Sequence, residues 1–266
     1  MLAVEIALLS EPGGRSGNED ACGHWHSDDH LCCVLADGAG GHGGGDVASR
    51  LVVQTLLAAF ADAPSEDGAA LARLVRRANA ALLERRQGDP RLRDMHTTLV
   101  CLVIDFVAAR AHWVHAGDSR LYWFRHGRLH QRTLDHSLVQ GLLQAGVLTP
   151  EQARSHPRRS ELQSALGTRA EDLRIEAGGD VTLVPGDAFL LCSDGLWEFV
   201  DDEAMQDALA HSATAGAWVA ALEQRVRAGA RGHATHDNFS ALAVRILSPE
   251  GAIDATTVVA PADARR

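Results

Sequence analysis

Val34-Leu35-Ala36-Asp37-Gly38-Ala39-Gly40-Gly41-His42-Gly43-Gly44-Gly45-Asp46 decides how the rest of the chain is read. The apolar run leading into it, Leu31 to Ala36, has the length and the Cys, Val and Leu content of a buried strand. The run ends on a carboxylate, and six glycines then fall within eight residues. Glycine turns with φ > 0 at no steric cost and lets another group come close to the backbone. A helical pattern starts at Asp46. A carboxylate at a rigid strand end beside bare backbone suits a hard cation, with Asp37 as bridging ligand and the Gly38 carbonyl as a further oxygen. Two other readings compete, a phosphate-cradling loop and a plain strand-to-helix turn with a capping Asp. The phosphate loop fails on composition, because no lysine occurs in the 266 residues. An Asp heading such a loop also repels phosphate unless metal lies between them.

The whole chain narrows the choice. It is 46% hydrophobic, enough for a sizeable core, and its net charge of −10 favours neither a nucleic-acid backbone nor an anionic membrane. Every fixed side-chain cation is arginine, which grips oxyanions through paired hydrogen bonds and excludes lysine Schiff-base chemistry. Cys22, Cys32, Cys33, Cys101 and Cys192 form an odd set without a CxxC, as expected of free thiols in a reducing compartment. Met1 to Ser10 carries Glu5 and no basic stretch, so it reads as a first strand and not as a signal peptide. No apolar run approaches the ~18 residues of a membrane span. A soluble cytoplasmic monomer is expected.

Taken in order, Leu2 to Leu9 is a strand broken by Glu11-Pro12-Gly13-Gly14. The polar loop Arg15-Ser16-Gly17-Asn18-Glu19-Asp20 follows, which alone would be a turn with a surface ion pair. His24-Trp25-His26-Ser27-Asp28-Asp29-His30 has the side chains of a transition-metal site, but its crowding between two strands makes a hairpin turn the better reading. Asp46 to Ala61 and Gly68 to Gln87 carry helical stripes, with Arg73, Arg76 and Arg77 on a solvated face. Strands are expected over Thr97–Phe106, Arg110–Ala116, Leu121–Arg125 and Arg128–Gln131, with Gly117-Asp118-Ser119-Arg120 at a corner. Two short helices, from Leu138 and from Thr149-Pro150-Glu151-Gln152, belong to an insertion that runs to Leu166-Gly167. Strands Arg174–Leu183 and Ala188–Cys192 come next, and the second ends in Ser193-Asp194-Gly195, repeating the opening pattern of strand, Asp and Gly. Helical runs Asp202–His211 and Ala217–Arg227 precede Thr235-His236-Asp237-Asn238 and a last strand, Phe239–Ile246. From Ser248 the chain is rich in Ala, Pro and Thr and is expected to be a flexible tail.

Asp37, Asp194 and Asp237 each stand at the edge of a β run, with Glu19 and Asp20 on a neighbouring loop. So many acids gather only around cations. An oxygen-only set without Cys or paired His favours Mg2+ or Mn2+ over Zn2+. The ordered motifs Arg15-x-x-Asn18-Glu19-Asp20, Ala36-Asp37-Gly38-x-Gly40-Gly41-His42, Gly117-Asp118-Ser119-Arg120, Ser193-Asp194-Gly195-Leu196-Trp197 and Asp237-Asn238 closely resemble the metal-dependent type 2C serine/threonine protein phosphatases, bacterial branch. The likeness covers Glu5 to Leu247.

The resemblance implies an α+β fold, a four-layer α-β-β-α sandwich of two antiparallel sheets flanked by helix pairs. Residues 1–247 would be the catalytic domain, with a flap at about 137–167 and a tail at 248–266. It also implies two tightly bound Mn2+ or Mg2+ ions and a weaker third. Asp37 would bridge the pair and the Gly38 carbonyl would bind one ion. Asp194 and Asp237 would bind the other, Glu19 and Asp20 would hold waters of the metal shell, and Asp118 would serve the third site. Arg15 would grip the substrate phosphate, and hydroxide generated between the cations would attack phosphorus in line. Three departures from the family pattern concern the acid and the flap: Ala39, His96 in Met95-x-Thr97-Thr98, and Arg159-Ser160. With Ala39 where eukaryotic members place a histidine, His42 is the candidate acid. The expected partners are phosphorylated proteins and a bacterial-type Ser/Thr kinase. A non-catalytic scaffold and a nucleotide-binding module are the rival functions.

Overall fold

The computed structural model describes residues 2–40, 44–65, 67–234 and 236–248. His42 and all of the expected tail beyond Ser248 lie outside the described residues. The first half of the chain forms β1 (Ala3–Glu11), β2 (Asp20–His26), β3 (His30–Ala39), α1 (Gly45–Asp62) and α2 (Gly68–Gln87). Then come β4 (His96–Thr97), β5 (Leu99–Asp105), β6 (Arg110–Ala116), β7 (Arg120–Arg125) and β8 (Arg128–Arg132). The second half adds α3 (Leu138–Gln144), α4 (Pro150–Arg154), β9 (Glu176–Thr182) and β10 (Asp187–Cys192). It closes with α5 (Asp194–Trp197), α6 (Asp202–Ala210), α7 (Ala215–Gly229) and β11 (Phe239–Leu247).

One sheet has the order β1-β11-β10-β7-β8, the other β2-β3-β5-β6-β9 with β4 on β3. All the strand pairs are antiparallel. The period-2 geometry of a strand explains the unbroken apolar runs. On β3, Leu31, Cys33 and Leu35 face the other sheet, while Cys32, Val34 and Ala36 meet α1 and α2. On β10, Phe189 and Leu191 point between the sheets, and Ala188, Leu190 and Cys192 lie under α6 and α7. A strand covered on both faces is apolar along most of its length, and a polar side chain there needs a hydrogen-bond partner. The result is the expected α+β sandwich of four layers.

The insertion also takes its expected shape. Ser137 caps α3 through the Gln140 amide, and Thr149 with Gln152 forms a capping box on α4. The bridge Ser137↔Leu162 closes the insertion on itself, and Thr97↔Leu166 ties its far end to β4.

Local details differ. β3 runs on through Asp37 and Gly38 to Ala39, so Asp37 sits inside a strand and not at its end; β2 and β4 pair with that extension. Thr98 separates β4 from β5 where one strand was expected. Asp194 opens a one-turn helix, α5, which the sequence reading passed over because four residues carry no periodicity. His24 and His26 belong to β2, and only residues 27–29 make the hairpin turn. Among the described residues no helix is long and apolar enough to cross a membrane.

Candidate metal centre

The acids gather because both sheets bring their strand ends to the same end of the sandwich. Asp20 opens β2 directly opposite Asp37 on β3. Thr98 fixes Asp37 from the third strand: its hydroxyl accepts the Asp37 amide at 2.9 Å, and its own amide donates to the Asp37 carbonyl at 2.8 Å. The Thr97 hydroxyl donates to that same carbonyl at 2.8 Å. From the other sheet, Ser193 at the end of β10 donates its hydroxyl to Asp20 Oδ2 at 2.7 Å and accepts the Ser240 amide at 2.9 Å. This serine therefore joins β2, β10 and β11 immediately before Asp194.

Asn238 locks the opposite rim. Its side-chain oxygen accepts the Glu19 amide at 2.8 Å, and its amide group donates to the Pro12 and Gly17 carbonyls. Asp237 next to it is exposed and receives Arg15 Nη2 at 3.0 Å. Asp118, at the corner between β6 and β7, is buried, and its carbonyl accepts Trp197 Nε1 at 3.0 Å. Arg120 lies 3.6 Å over the Trp197 ring and holds Asp135 through two hydrogen bonds of 2.8 and 2.7 Å.

Electrostatics couples these groups. Burial, then the charges of Asp20, Asp194, Asp118 and Asp237, hold the Asp37 carboxyl well above the usual carboxylate range. Asp194 is raised in the same way by burial, then by Asp118, Glu198, Asp237 and Asp20. Burial pushes Asp118 up to about 7 and Asp20 up to about 6. Glu19 is also raised, by burial and then by Asp46 and Asp237. Each group resists ionisation first because it is buried and then because neighbours share its sign.

The donors suit hard divalent cations. All are oxygens, Asp20 Oδ1 is buried without a hydrogen-bond partner, and a positive charge relieves every repulsion in the cluster. The backbone is bare where an ion would sit. A Cβ on Gly38 would lie 2.1 Å from the Gly45 carbonyl oxygen, and only glycine allows that approach. Among the described residues no three of these carboxylates bring one oxygen each within 4.8 Å of one another; the group that does is His115, His136 and Glu176. An oxygen set at this spacing suits several ions with water between them.

Beside the acids, a cleft of about 360 Å3 runs under the insertion, lined by Arg120, Asp135, Arg154, Arg159, Trp197 and Glu198 among others. Arg159 reaches Glu198 at 2.7 Å, which ties the insertion to α5. The sequence reading missed Ser193, Ser240, Thr97 and Thr98 as braces, and Glu198 as part of the charge cluster. Polar residues breaking otherwise apolar strands were the available signal. His96, one of the three departures, is bound by Arg86 Nη2 at 3.2 Å and by the Asp94 carbonyl at 2.8 Å, away from the acids.

Comparison with known proteins agrees with this geometry. The family model described as protein phosphatase 2C matches residues 14–228. The serine/threonine protein phosphatase PstP of Mycobacterium tuberculosis is 40% identical over 213 residues; these make up 78% of this chain and only 39% of that protein. Protein phosphatase PhpP of Streptococcus pneumoniae is 36% identical over 211 residues, 77% of this chain and 83% of the relative. The crystal structure of the PstP catalytic domain in complex with two manganese ions superposes with a TM-score of 0.76 at 33% identity, over 93% of this chain and all of that one. The matched span holds all of the acids just described except Asp237, which follows it within ten residues, and the sandwich is the same. The chain belongs to the protein phosphatase 2C family.

Proposed function

We propose that this chain hydrolyses phosphoserine and phosphothreonine on proteins, using a pair of divalent cations, Mn2+ or Mg2+, held by the carboxylate cluster. The observation that carries this reading is the convergence of Asp20, Asp37, Asp118 and Asp194, all with raised pKa values, from two sheets onto one end of the sandwich. When bound, the cation pair acidifies the attacking water and neutralises charge on the phosphoryl group.

The chain's own residues do the rest. Asp37, shared between the ions, and the Gly38 carbonyl would hold them from β3. Asp194 and Asp237 would complete the hold from the other sheet, and Glu19 and Asp20 would orient the surrounding water. Asp118 would serve a weaker third ion beside the insertion. Arg15 exchanges Asp237 for substrate oxygens; its planar fork neutralises them and favours the more highly charged transition state. The insertion, residues 137–167, acts as a flap whose arginines flank the cleft. His42, outside the described residues, protonates the leaving alkoxide.

Residues 1–247 form the catalytic unit and 248–266 a tail. The substrates are phosphoproteins made by a bacterial-type Ser/Thr kinase. Free thiols and the scatter of exposed large apolar side chains (Val107, Leu134 and Val147) support a monomer in a reducing cytoplasm. The test is phosphate release from a phosphothreonine peptide. Turnover that needs Mn2+ or Mg2+ and stops in EDTA is expected; turnover undiminished by EDTA, or none with either ion, overturns the reading.

A further inference from the structure

His115 and His136 are almost wholly buried, at 2% and 1% exposure, with ring centroids 4.6 Å apart. His115 is the penultimate residue of β6, His136 precedes α3, and Glu176 opens β9, so the three meet where the start of the insertion passes the β6–β9 edge of the six-stranded sheet. One nitrogen of each ring has a clear partner. His115 Nε2 donates to the Leu134 carbonyl at 2.8 Å, and the Gly117 amide donates to His136 Nδ1 at 3.3 Å. The other nitrogen of each ring, His115 Nδ1 and His136 Nε2, is buried without a hydrogen-bond partner. One nitrogen of each ring and a Glu176 oxygen lie within 4.8 Å of one another, and His136 Nε2 is 3.5 Å from Glu176 Oε2.

A buried imidazole nitrogen without a partner, His115 Nδ1, beside one whose nearest acceptor is a carboxylate oxygen at 3.5 Å, is costly unless something binds both. We infer that His115 Nδ1, His136 Nε2 and the Glu176 carboxylate form a site for a zinc-class divalent cation, separate from the oxygen-only centre. Two imidazoles and one carboxylate with an open position make a zinc donor set, poorly suited to Mg2+. The Leu134 carbonyl supplies the outer-shell partner that a metal-binding histidine ordinarily has on its other nitrogen, and it leaves the Nδ1 lone pair of His115 ready. Burial lowers the pKa of both rings, that of His136 to about 4, so protons do not compete for them at neutral pH. Glu176, with 43% of its side chain exposed and 3.5 Å from His136 Nε2, gives an entry path and can rotate to shorten the set. Arg174, 3.1 Å from Glu176 Oε2, and Asp135 are the other charges nearby. Arg174 must release one oxygen when the cation enters.

Binding at His136 has a consequence for the turn beside it. A cation on Nε2 moves the ring proton to Nδ1, where the Gly117 amide also points, so those two N–H groups oppose each other and the Gly117-Asp118 turn has to shift.

The full chain, stripped with EDTA and returned to excess Mg2+, is titrated with Co2+. Cobalt in an imidazole–carboxylate site of low coordination absorbs intensely in the visible, whereas cobalt in a six-oxygen site absorbs weakly. An intense band saturating at one Co2+ per chain and displaced by one Zn2+ is expected. His136→Gln should abolish it, and the surface variant Glu176→Gln should require at least about tenfold more Co2+. Asp37→Asn should retain it. A shift of the Gly117 amide resonance should accompany Zn2+ binding. Absence of the band overturns the site, as does its persistence in folded His136→Gln together with full affinity in Glu176→Gln. Loss of the band in Asp37→Asn, or in His24→Gln on the exposed β2 edge, would assign the cobalt elsewhere and equally overturn it.

Discussion

Asp37 is pulled two ways: its strand and three hydrogen bonds fix its backbone, while its charge is opposed by four other aspartates. Asp37→Asn should therefore cut turnover on a phosphopeptide at least about a hundredfold, the scale of losing several kcal/mol of charge stabilisation. In EDTA the same variant should melt no lower than wild type, since a repelling charge is gone; calorimetry checks this. The pH dependence of the metal-free protein follows from the same repulsion. Asp118 rises from 3.8 to about 7 and Asp20 from 3.8 to about 6, so between pH 4 and 7 the folded chain holds protons that the unfolded chain has lost. Stability in EDTA should fall as pH rises through that window, and Asp118→Asn should flatten the fall. For His42 the prediction is a difference between substrates. His42→Ala should slow a phosphoserine peptide by ~10²-fold or more and p-nitrophenyl phosphate far less, because only the alkoxide needs a proton. Equal losses on both substrates would remove His42 from that role.

Elements were more legible than their ends. Helices α1 and α2 and the buried strands announce themselves by periodicity, because burial on one or two faces leaves a repeating apolar pattern. Asp37 was misplaced at a strand end because β3 continues through Gly38, where glycine usually signals a turn; its pairing with β4 comes from residues sixty positions away. α5 was invisible for a related reason, since its position is set by contact with β11. A Cβ on Gly195 would fall 2.1 Å from the Asn238 carbonyl oxygen. Gly195→Ala should push α5 away from Asp237-Asn238, costing about 1–3 kcal/mol by urea unfolding and reducing activity without touching a ligand. The acids themselves were legible from residue types and motif order. The Ser193–Asp20 link was not, because it joins positions 173 residues apart.

For the whole molecule, the cations are expected to work as a clamp between sheets, because the cluster draws Asp20 and Asp37 from one sheet, Asp194 and Asp237 from the other, and Asp118 from the corner that joins them. Saturating Mn2+ should raise the melting temperature, with about 2.7 kcal/mol gained when the ion stands at a hundred times its dissociation constant. A melting temperature indifferent to Mn2+ would mean that no ion spans the sheets. The strand order also bears on how the chain folds as it is made. β11, the last of the described strands, lies between β1, the first of them, and β10. Until it emerges, the five-stranded sheet lacks the strand that joins β1 to β10, β1 has no partner in that sheet, and Asp237 does not yet exist beside the other acids. A nascent chain therefore presents open strand edges, which favour intermolecular pairing, and it gains its last acid only when β11 is being made. The acid cluster is thus complete only once the strand that closes the five-stranded sheet is in place.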